Sequence, residues 1–374
     1  MQLGEKRKIK ILFIINSLEG GGAEKVFVNI VNRLYDELTD NLDVALLKKQ
    51  GVYLANLKER IKIIDLGVKS EKIGKYLPSI IRQLYRLEKN YDCIFSFMWE
   101  SNFINLLVSV FSKKIRIISE RINLEEYLNS TFTGLKKMII FSATKFLYKK
   151  ANLIVTPSTG LKTQLNNVLR INEKNIKVIP NPFDLKNIKY FSTEDIEFFQ
   201  PFILFVGRLH KQKNIPLLLK AFKNLKNKDI KLIIIGEGEE KSTLRSMIKA
   251  LDLSDRVNMM GFQKNPYKYM SKALCLVLPS NYEAFPNVII EAMVCGCPVI
   301  STDCPFGPSE IIQNEKNGIL IPVNDASGLS SALEKIVSDE KLRTKLIENA
   351  YETVKNYDIE KIVQEYKKAI LEVN

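Results

Sequence analysis

The chain of 374 residues is 46% hydrophobic, contains 17 Gly and 13 Pro, and carries a formal charge of +14. This length and composition fit a globular protein of two domains and exclude a disordered chain. Apolar runs such as Leu106 to Phe111 fall far short of the roughly 20 residues needed to cross a bilayer, so no membrane span is expected.

Lys6-Arg7-Lys8 precede only the short run Ile9 to Ile15, interrupted by Lys10 and without a small-residue cleavage site. This segment reads as a first strand rather than a signal peptide. The positive charge calls for a polyanionic partner: nucleic acid, an anionic membrane surface or a phosphorylated substrate. Nucleic acid is disfavoured, because no zinc-finger, RNP or Gly-x-x-Gly signature occurs and the lysines spread along helices. The five cysteines are odd in number and fit unpaired thiols of a reducing cytoplasm. Cys295-Gly296-Cys297 with Cys304 lacks a nearby His or fourth Cys, so no metal is expected there.

In chain order, strands are predicted at Ile9 to Ile15, Leu42 to Leu47, Ile61 to Asp65, Cys93 to Phe97, Ile115 to Ser119, Leu153 to Pro157 and Ile176 to Ile179. Helical segments alternate with them, which predicts an α/β parallel sheet. After Pro180-Asn181-Pro182-Phe183-Asp184 the alternation restarts at Phe202 to Val206. It continues through Lys231 to Ile235, Val257 to Met260, Cys275 to Leu278, Pro298 to Ser301 and Ile319 to Ile321. Two Rossmann-like domains with a cleft between them follow, residues 1–183 and 184–355, with a C-terminal helix at about 356–374.

Strand one ends at Asn16-Ser17, and Gly20-Gly21-Gly22 lead into a helix from about Ala23. Glycines there allow close backbone approach to a ligand, and the helix N-terminus favours an anion. The pattern is not Gly-x-Gly-x-x-Gly, and no acidic residue closes a second strand as a nicotinamide site requires, so a dehydrogenase is disfavoured. Gly134 to Ala151 reads as a basic helix with Leu135, Met138, Ile139, Phe146 and Leu147 on a core face. Phe141 and Tyr148, among Lys137 and Lys145, form a membrane-touching flank.

In the second half, Arg208 and Lys213 follow a strand end, where open α/β sheets bind ligands. From spacing alone they fit a diphosphate site or an exposed basic loop equally well. Ile235-Gly236-Glu237-Gly238 marks a tight strand-to-helix turn. His210, the single histidine, lies in the Arg208 to Lys213 loop and reads as exposed and idle; no catalytic triad can be built on it. Glu283 and Glu291 stand eight residues apart around a helix start at Pro286. The amides of Asn287 and Val288 are expected to face an anion, with Glu283 toward its neutral part and Glu291 toward vicinal hydroxyls. Two solvated acidic residues would give the same spacing.

With these residues together, the chain resembles the GT-B retaining glycosyltransferases of family 4. The resemblance spans nearly the whole length and rests on Gly20-Gly21-Gly22-Ala23-Glu24-Lys25, Gly207-Arg208-Leu209 with Lys213-Asn214, Gly236-Glu237-Gly238, and Glu283 through Pro298. It implies a nucleotide-sugar domain at the C-terminal side, an acceptor domain at the N-terminal side, and a C-terminal helix crossing back to the first. It further implies Arg208, Lys213 and Glu283 as the catalytic set, the two cations acting on the diphosphate. Gly21, Gly22, Gly236, Gly238, Phe262, Phe285, Pro286, Asn287, Val288 and Glu291 would bind the donor, Glu291 at the ribose and the base near Gly261-Phe262. No metal and no cofactor is implied beyond the donor, a UDP-sugar. The acceptor would be a polyprenyl-diphosphate-linked glycan at the cytoplasmic face of a bacterial membrane, and the anionic membrane surface a further partner. Ala284 stands where the family commonly has Gly. Glu120-Arg121 stand where many members carry a histidine, which assigns Arg121 to donor phosphate or an anionic acceptor. A sugar-nucleotide-binding protein without catalysis is the alternative on the same fold.

Overall fold

The computed structural model describes residues 9–38, 41–70, 73–197 and 200–373. The chain divides into two units, Met1–Pro182 with Ile359–Asn374, and Phe183–Asp358. Phe183 belongs to the second unit because its N–H donates to the Tyr357 carbonyl, 2.9 Å away, and it bridges Asp358. Lys6-Arg7-Lys8 lie outside the described residues.

Unit 1 runs β1 (Ile11–Ile15), α1 (Gly22–Glu37), β2 (Leu42–Leu46), β3 (Ile63–Asp65), α2 (Leu77–Leu87), β4 (Cys93–Phe97) and α3 (Trp99–Val108). It continues with β5 (Ile115–Ser119), α4 (Leu124–Thr131), α5 (Gly134–Tyr148), β6 (Leu153–Thr156), α6 (Thr159–Leu169) and β7 (Ile176–Val178). Unit 2 holds α7 (Leu185–Ser192), β8 (Phe202–Val206), α8 (Ile215–Lys223), β9 (Lys231–Ile235), α9 (Lys241–Ala250), β10 (Val257–Gly261) and α10 (Tyr267–Met270). It ends with β11 (Cys275–Leu278), α11 (Asn287–Val294), β12 (Val299–Thr302), α12 (Pro308–Ile311), β13 (Ile319–Ile321), α13 (Ala326–Ser338) and α14 (Glu340–Val354). The last helix, α15 (Ile359–Val373), returns to unit 1.

Both sheets are parallel, in the orders β3-β2-β1-β4-β5-β6-β7 and β10-β9-β8-β11-β12-β13. The strands are apolar on both faces because helices cover both. In β1, Ile11, Phe13 and Ile15 pack toward α1 and α15, whereas Leu12 and Ile14 pack toward α2 and α3. Phe13, Phe27, Phe95 and Phe97 form an aromatic cluster on the first face, with Phe13 and Phe95 stacked at 4.9 Å. Tyr366 of α15 joins it beside Phe95. The direction of strand addition reverses between β1 and β4 in unit 1 and between β8 and β11 in unit 2, the places where such sheets open for ligands.

Helix α5 corrects an expectation. Leu135, Met138, Ile139 and Phe146, read as core, are exposed, whereas Tyr148 is fully buried and Phe141 packs partly into the core. Leu147 is buried as expected, but it shares the inward side with Thr144, which accepts a hydrogen bond from Trp99 Nε1, and Tyr148, which donates to a buried carboxylate. Among the described residues no helix is long and apolar enough to cross a membrane.

Candidate active site in the second unit

The loops after β8 and β11 flank the switch point of unit 2, and hydrogen bonds stitch them together. Asn281 N–H donates to the Gln212 carbonyl at 2.8 Å, Gln212 Nε2 to the Tyr282 carbonyl at 2.8 Å, and Asn214 Nδ2 to Asn281 Oδ1 at 3.1 Å. Asn214 adopts a left-handed conformation (φ 45°), which ends the short turn Lys211–Lys213 and starts α8. His210 is half-exposed and holds this turn, its Nδ1 accepting from Gln212 N–H.

At the centre, Lys213 Nζ lies 2.6 Å from Glu283 Oε1, and Ser280 Oγ donates to the same oxygen at 2.6 Å. Glu283 is 5% exposed. Ser280 is fixed in turn because its carbonyl accepts from Thr302 Oγ1 at 2.5 Å. The lysine is therefore not a mobile surface cation: a buried, doubly bonded carboxylate sets its position. Burial pushes the nearby Cys304 thiol up to about 12, with the charge of Glu283 adding to the effect, so this thiol stays protonated and inert. Arg208, one loop turn earlier, is exposed and makes no ion pair with any described residue.

Glycines set the floor of this region. A Cβ on Gly236 (φ +143°) would lie 1.9 Å from the Gly207 carbonyl oxygen, and one on Gly238 2.3 Å from that of Leu209. Gly207 N–H donates to the Ile235 carbonyl and Leu209 N–H to that of Glu237. The glycines at 236 and 238 thus let the loops after β8 and β9 pack backbone to backbone, which is more than the tight turn expected of them. Gly236 N–H reaches the Gly261 carbonyl at 2.9 Å, and the next residue, Phe262, is 67% exposed at the end of β10.

The helix start differs from expectation. Helix α11 begins at Asn287, not at Pro286, and Asn287 N–H donates back to the Phe285 carbonyl at 3.0 Å. Pro286 (φ −81°, ψ 85°) is the centre of an inverse γ-turn, so the Asn287 amide is engaged rather than directed outward. Gly307 (φ +92°) leaves room for the Pro286 ring, and the Phe285 ring meets that of Tyr357 at 5.8 Å. Val288 is buried. Glu291 is half-buried and accepts from Tyr267 Oη at 3.1 Å.

The unit 1 expectations change most. Glu120 is fully buried, its Oε1 accepting from the Arg121 and Ile122 amides and its Oε2 from Tyr148 Oη at 2.5 Å. Burial raises its carboxyl to about 7, with the charge of Glu100 adding. Arg121 is also buried. Its Nε donates to Ser119 Oγ at 2.8 Å, Nη1 to Asn181 and Nη2 to Tyr366, while the guanidinium lies 5.2 Å over Phe97. The geometry corrects the assignment of these two residues to a phosphate or an acceptor: they tie α15 and α5 to the sheet. Gly21 caps α1 and Gly22 is its first residue. The Glu24 carboxylate stands in the first turn, 2.2 Å from where a Gly21 Cβ would be, so a side chain at 21 would displace it.

Sequence reasoning missed Ser280, Thr302 and Tyr267, the residues that hold Glu283 and Glu291. It also missed the switch point of unit 1. There Asn16 Nδ2 donates to Glu100 Oε2 at 2.8 Å, Ser101 Oγ to Asn16 Oδ1 at 2.6 Å, and Tyr127 Oη to the other Glu100 oxygen. Met98, two residues before Glu100, has φ +70°. A carboxylate three residues after a buried strand was the available signal.

Comparison with known proteins places this geometry. The model "Glycosyltransferase Family 4" matches residues 20–187 and "Glycosyl transferases group 1" residues 191–353. A Campylobacter jejuni protein is 33% identical over 97% of this chain and 99% of its own length: N-acetylgalactosamine-N,N'-diacetylbacillosaminyl-diphospho-undecaprenol 4-alpha-N-acetylgalactosaminyltransferase. The chain belongs to the family 4 GT-B glycosyltransferases. A second Campylobacter jejuni relative of the transferase is 28% identical over 98% of this chain and 99% of its own. It is named as a GalNAc-alpha-(1->4)-GalNAc-alpha-(1->3)-diNAcBac-PP-undecaprenol alpha-1,4-N-acetyl-D-galactosaminyltransferase. Among solved structures, Anabaena HepE in complex with UDP-glucose aligns with a TM-score of 0.82 at 20% identity, covering 97% of the transferase and 100% of HepE. That likeness establishes the shared fold.

Proposed function

We propose that this glycosyltransferase moves a hexose or N-acetylhexosamine from a UDP-sugar to a hydroxyl of a polyprenyl-diphosphate-linked glycan, with retention of anomeric configuration and without a metal ion. The observation that carries the reading is the Lys213, Glu283 and Ser280 node at the switch point of unit 2. A buried carboxylate holds one cation in place there, and Arg208 supplies a second on the same loop.

As the bond between the anomeric carbon and the leaving phosphate oxygen breaks, negative charge grows on the diphosphate. Lys213 and Arg208 stabilise that charge without reorganising, since Lys213 is already fixed. The acceptor oxygen attacks from the same face, and its proton passes to the departing phosphate oxygen. Glu283 faces the donor sugar, and Glu291, steadied by Tyr267, accepts from ribose hydroxyls. Phe262 offers an exposed ring for the base. In unit 1, Asn16 and Glu100 stand ready to bind hydroxyls of the acceptor glycan. The named acceptors of the two Campylobacter relatives support a lipid-linked substrate, and with it a peripheral position at the cytoplasmic face of the membrane.

The test mixes purified full-length protein with single UDP-hexoses and UDP-N-acetylhexosamines, a short-chain polyprenyl-diphosphate disaccharide and a chelator. The expected result is a mass gain of one sugar with an α-linked product by NMR. UDP binding without a mass gain for any donor would refute transfer and leave a nucleotide-sugar-binding protein.

A further inference from the structure

Four of the exposed large apolar side chains lie on α5: Leu135 (72% exposed), Met138 (67%), Ile139 (58%) and Phe146 (62%). With the exposed Ser142 they fall at i, i+3, i+4, i+7 and i+11, one continuous face of the helix. The opposite face, with Thr144, Leu147 and Tyr148, is buried, so the fold anchors α5 and leaves the apolar stripe outward.

The stripe is set among cations. Lys136, Lys137, Lys145, Lys149 and Lys150 occur between Phe132 and Asn152, and this stretch contains no acidic residue. Helical spacing places Lys145 and Lys149 on one border of the stripe and Lys136 and Lys150 on the other. Lys150 Nζ lies 5.0 Å over the Phe146 ring and Lys136 Nζ 5.3 Å over the Phe132 ring. An aromatic ring carrying an ammonium at its face suits a boundary between apolar and charged layers.

We propose that α5 lies in the plane of an anionic lipid bilayer, with Leu135, Met138, Ile139 and Phe146 among the acyl chains and the flanking lysines on lipid phosphates. Charge selects this occupant. A second copy of the chain would bring five lysines against five, whereas a bilayer supplies an apolar layer bordered by anions. Two signals act together, apolar insertion and basic attraction, as reversible anchoring requires. The argument rests on α5 alone. It gives the membrane location in the proposed function a physical surface.

The test is co-sedimentation of full-length protein with vesicles of phosphatidylcholine alone or with about one-third phosphatidylglycerol. The wild type is expected to bind the anionic vesicles and to release in high salt. Met138→Ser with Phe146→Ser should weaken binding by about tenfold or more. Lys145→Gln, Lys149→Gln and Lys150→Gln together should weaken it roughly a hundredfold. All five positions are on the outer side of α5 or just past its C-terminus, so the fold should persist, as Trp99 fluorescence will report, together with transfer to a water-soluble acceptor. As a second measurement, a Phe146→Trp protein should gain fluorescence that brominated lipids quench. Equal sedimentation with neutral and anionic vesicles, or unchanged binding by both variants, overturns the proposal. So does a wild-type dimer that Met138→Ser with Phe146→Ser dissociates. A protein that binds vesicles but transfers no sugar would refute the proposed function and leave this surface standing.

Discussion

Glu120→Gln is the sharpest test of the buried polar network in unit 1. The Glu120 carboxyl, ordinarily near 4.5, is pushed up to about 7 in the folded chain, chiefly by burial. Below pH 4.5 both folded and unfolded chains hold this proton, and the group gives no pH dependence. Between 4.5 and 7 the unfolded chain has lost the proton and the folded chain keeps it, so stability falls as pH rises. Above 7 both are ionised and the loss is complete. At about 1.4 kcal/mol per pH unit, the loss amounts to about 3 kcal/mol. Glutamine mimics the protonated form: its carbonyl can accept from the Arg121 and Ile122 amides while its NH2 group donates to Tyr148 Oη. The variant should therefore match wild type near pH 4.5 and exceed it by about 3 kcal/mol at pH 8. Urea unfolding at both pH values, followed through Trp99, measures this. Trp99 is the one tryptophan in the sequence and is buried in unit 1, one residue before Glu100, so its emission reports on that unit. Equal effects at the two pH values, or no gain at pH 8, would refute the reasoning.

Two further substitutions separate structure from chemistry in unit 2. Lys213→Ala and Arg208→Ala should each slow transfer by about a hundredfold or more. Only Lys213→Ala should also destabilise unit 2, by about 3 kcal/mol, since it strands the buried Glu283 carboxylate. Hydrogen exchange in β8 and β11 reads the difference, and equal destabilisation by Arg208→Ala would contradict the geometry. Gly236→Ala should cost more than about 3 kcal/mol, because its Cβ would collide with the Gly207 carbonyl. Gly67→Ala, at φ +78° with open space around it, should cost only about 1 kcal/mol in denaturant melts.

The strands were legible because a parallel sheet covered on both faces writes each strand as a nearly unbroken apolar run, as Phe202 to Val206 and Leu232 to Ile235 do. The loops at the strand ends were legible for the same reason: Arg208 and Glu283 lie two and five residues beyond such runs. Partnership was not legible. Lys213 and Glu283 are 70 residues apart, and only the adjacency of β8 and β11 brings them to one ion pair. The face of α5 was read the wrong way because Leu135, Met138 and Ile139 are more apolar than Thr144. The hydrogen bond between Thr144 and Trp99, set by packing against α3, decides the orientation. Arg121 misled in a related way. A guanidinium at a strand end suggests an anion, yet Ser119, Asn181 and Tyr366 already surround it.

The bond between Arg121 and Tyr366 has a consequence for how the chain is made. Ile362, Val363, Tyr366, Ala369 and Ile370 belong to the core of unit 1 but follow unit 2 in the sequence. Unit 2 is continuous and can close as soon as it has been synthesised, whereas the earlier-made sheet of unit 1 must wait with the part of one face beside α1 uncovered. Waiting across so long an insertion adds little closure entropy, because that term grows only with the logarithm of length. The exposure lies in time rather than in equilibrium. Until α15 arrives, Phe95 lacks the Tyr366 ring and Arg121 its phenol partner, so the core of unit 1 in this transferase is completed only by a segment made after unit 2.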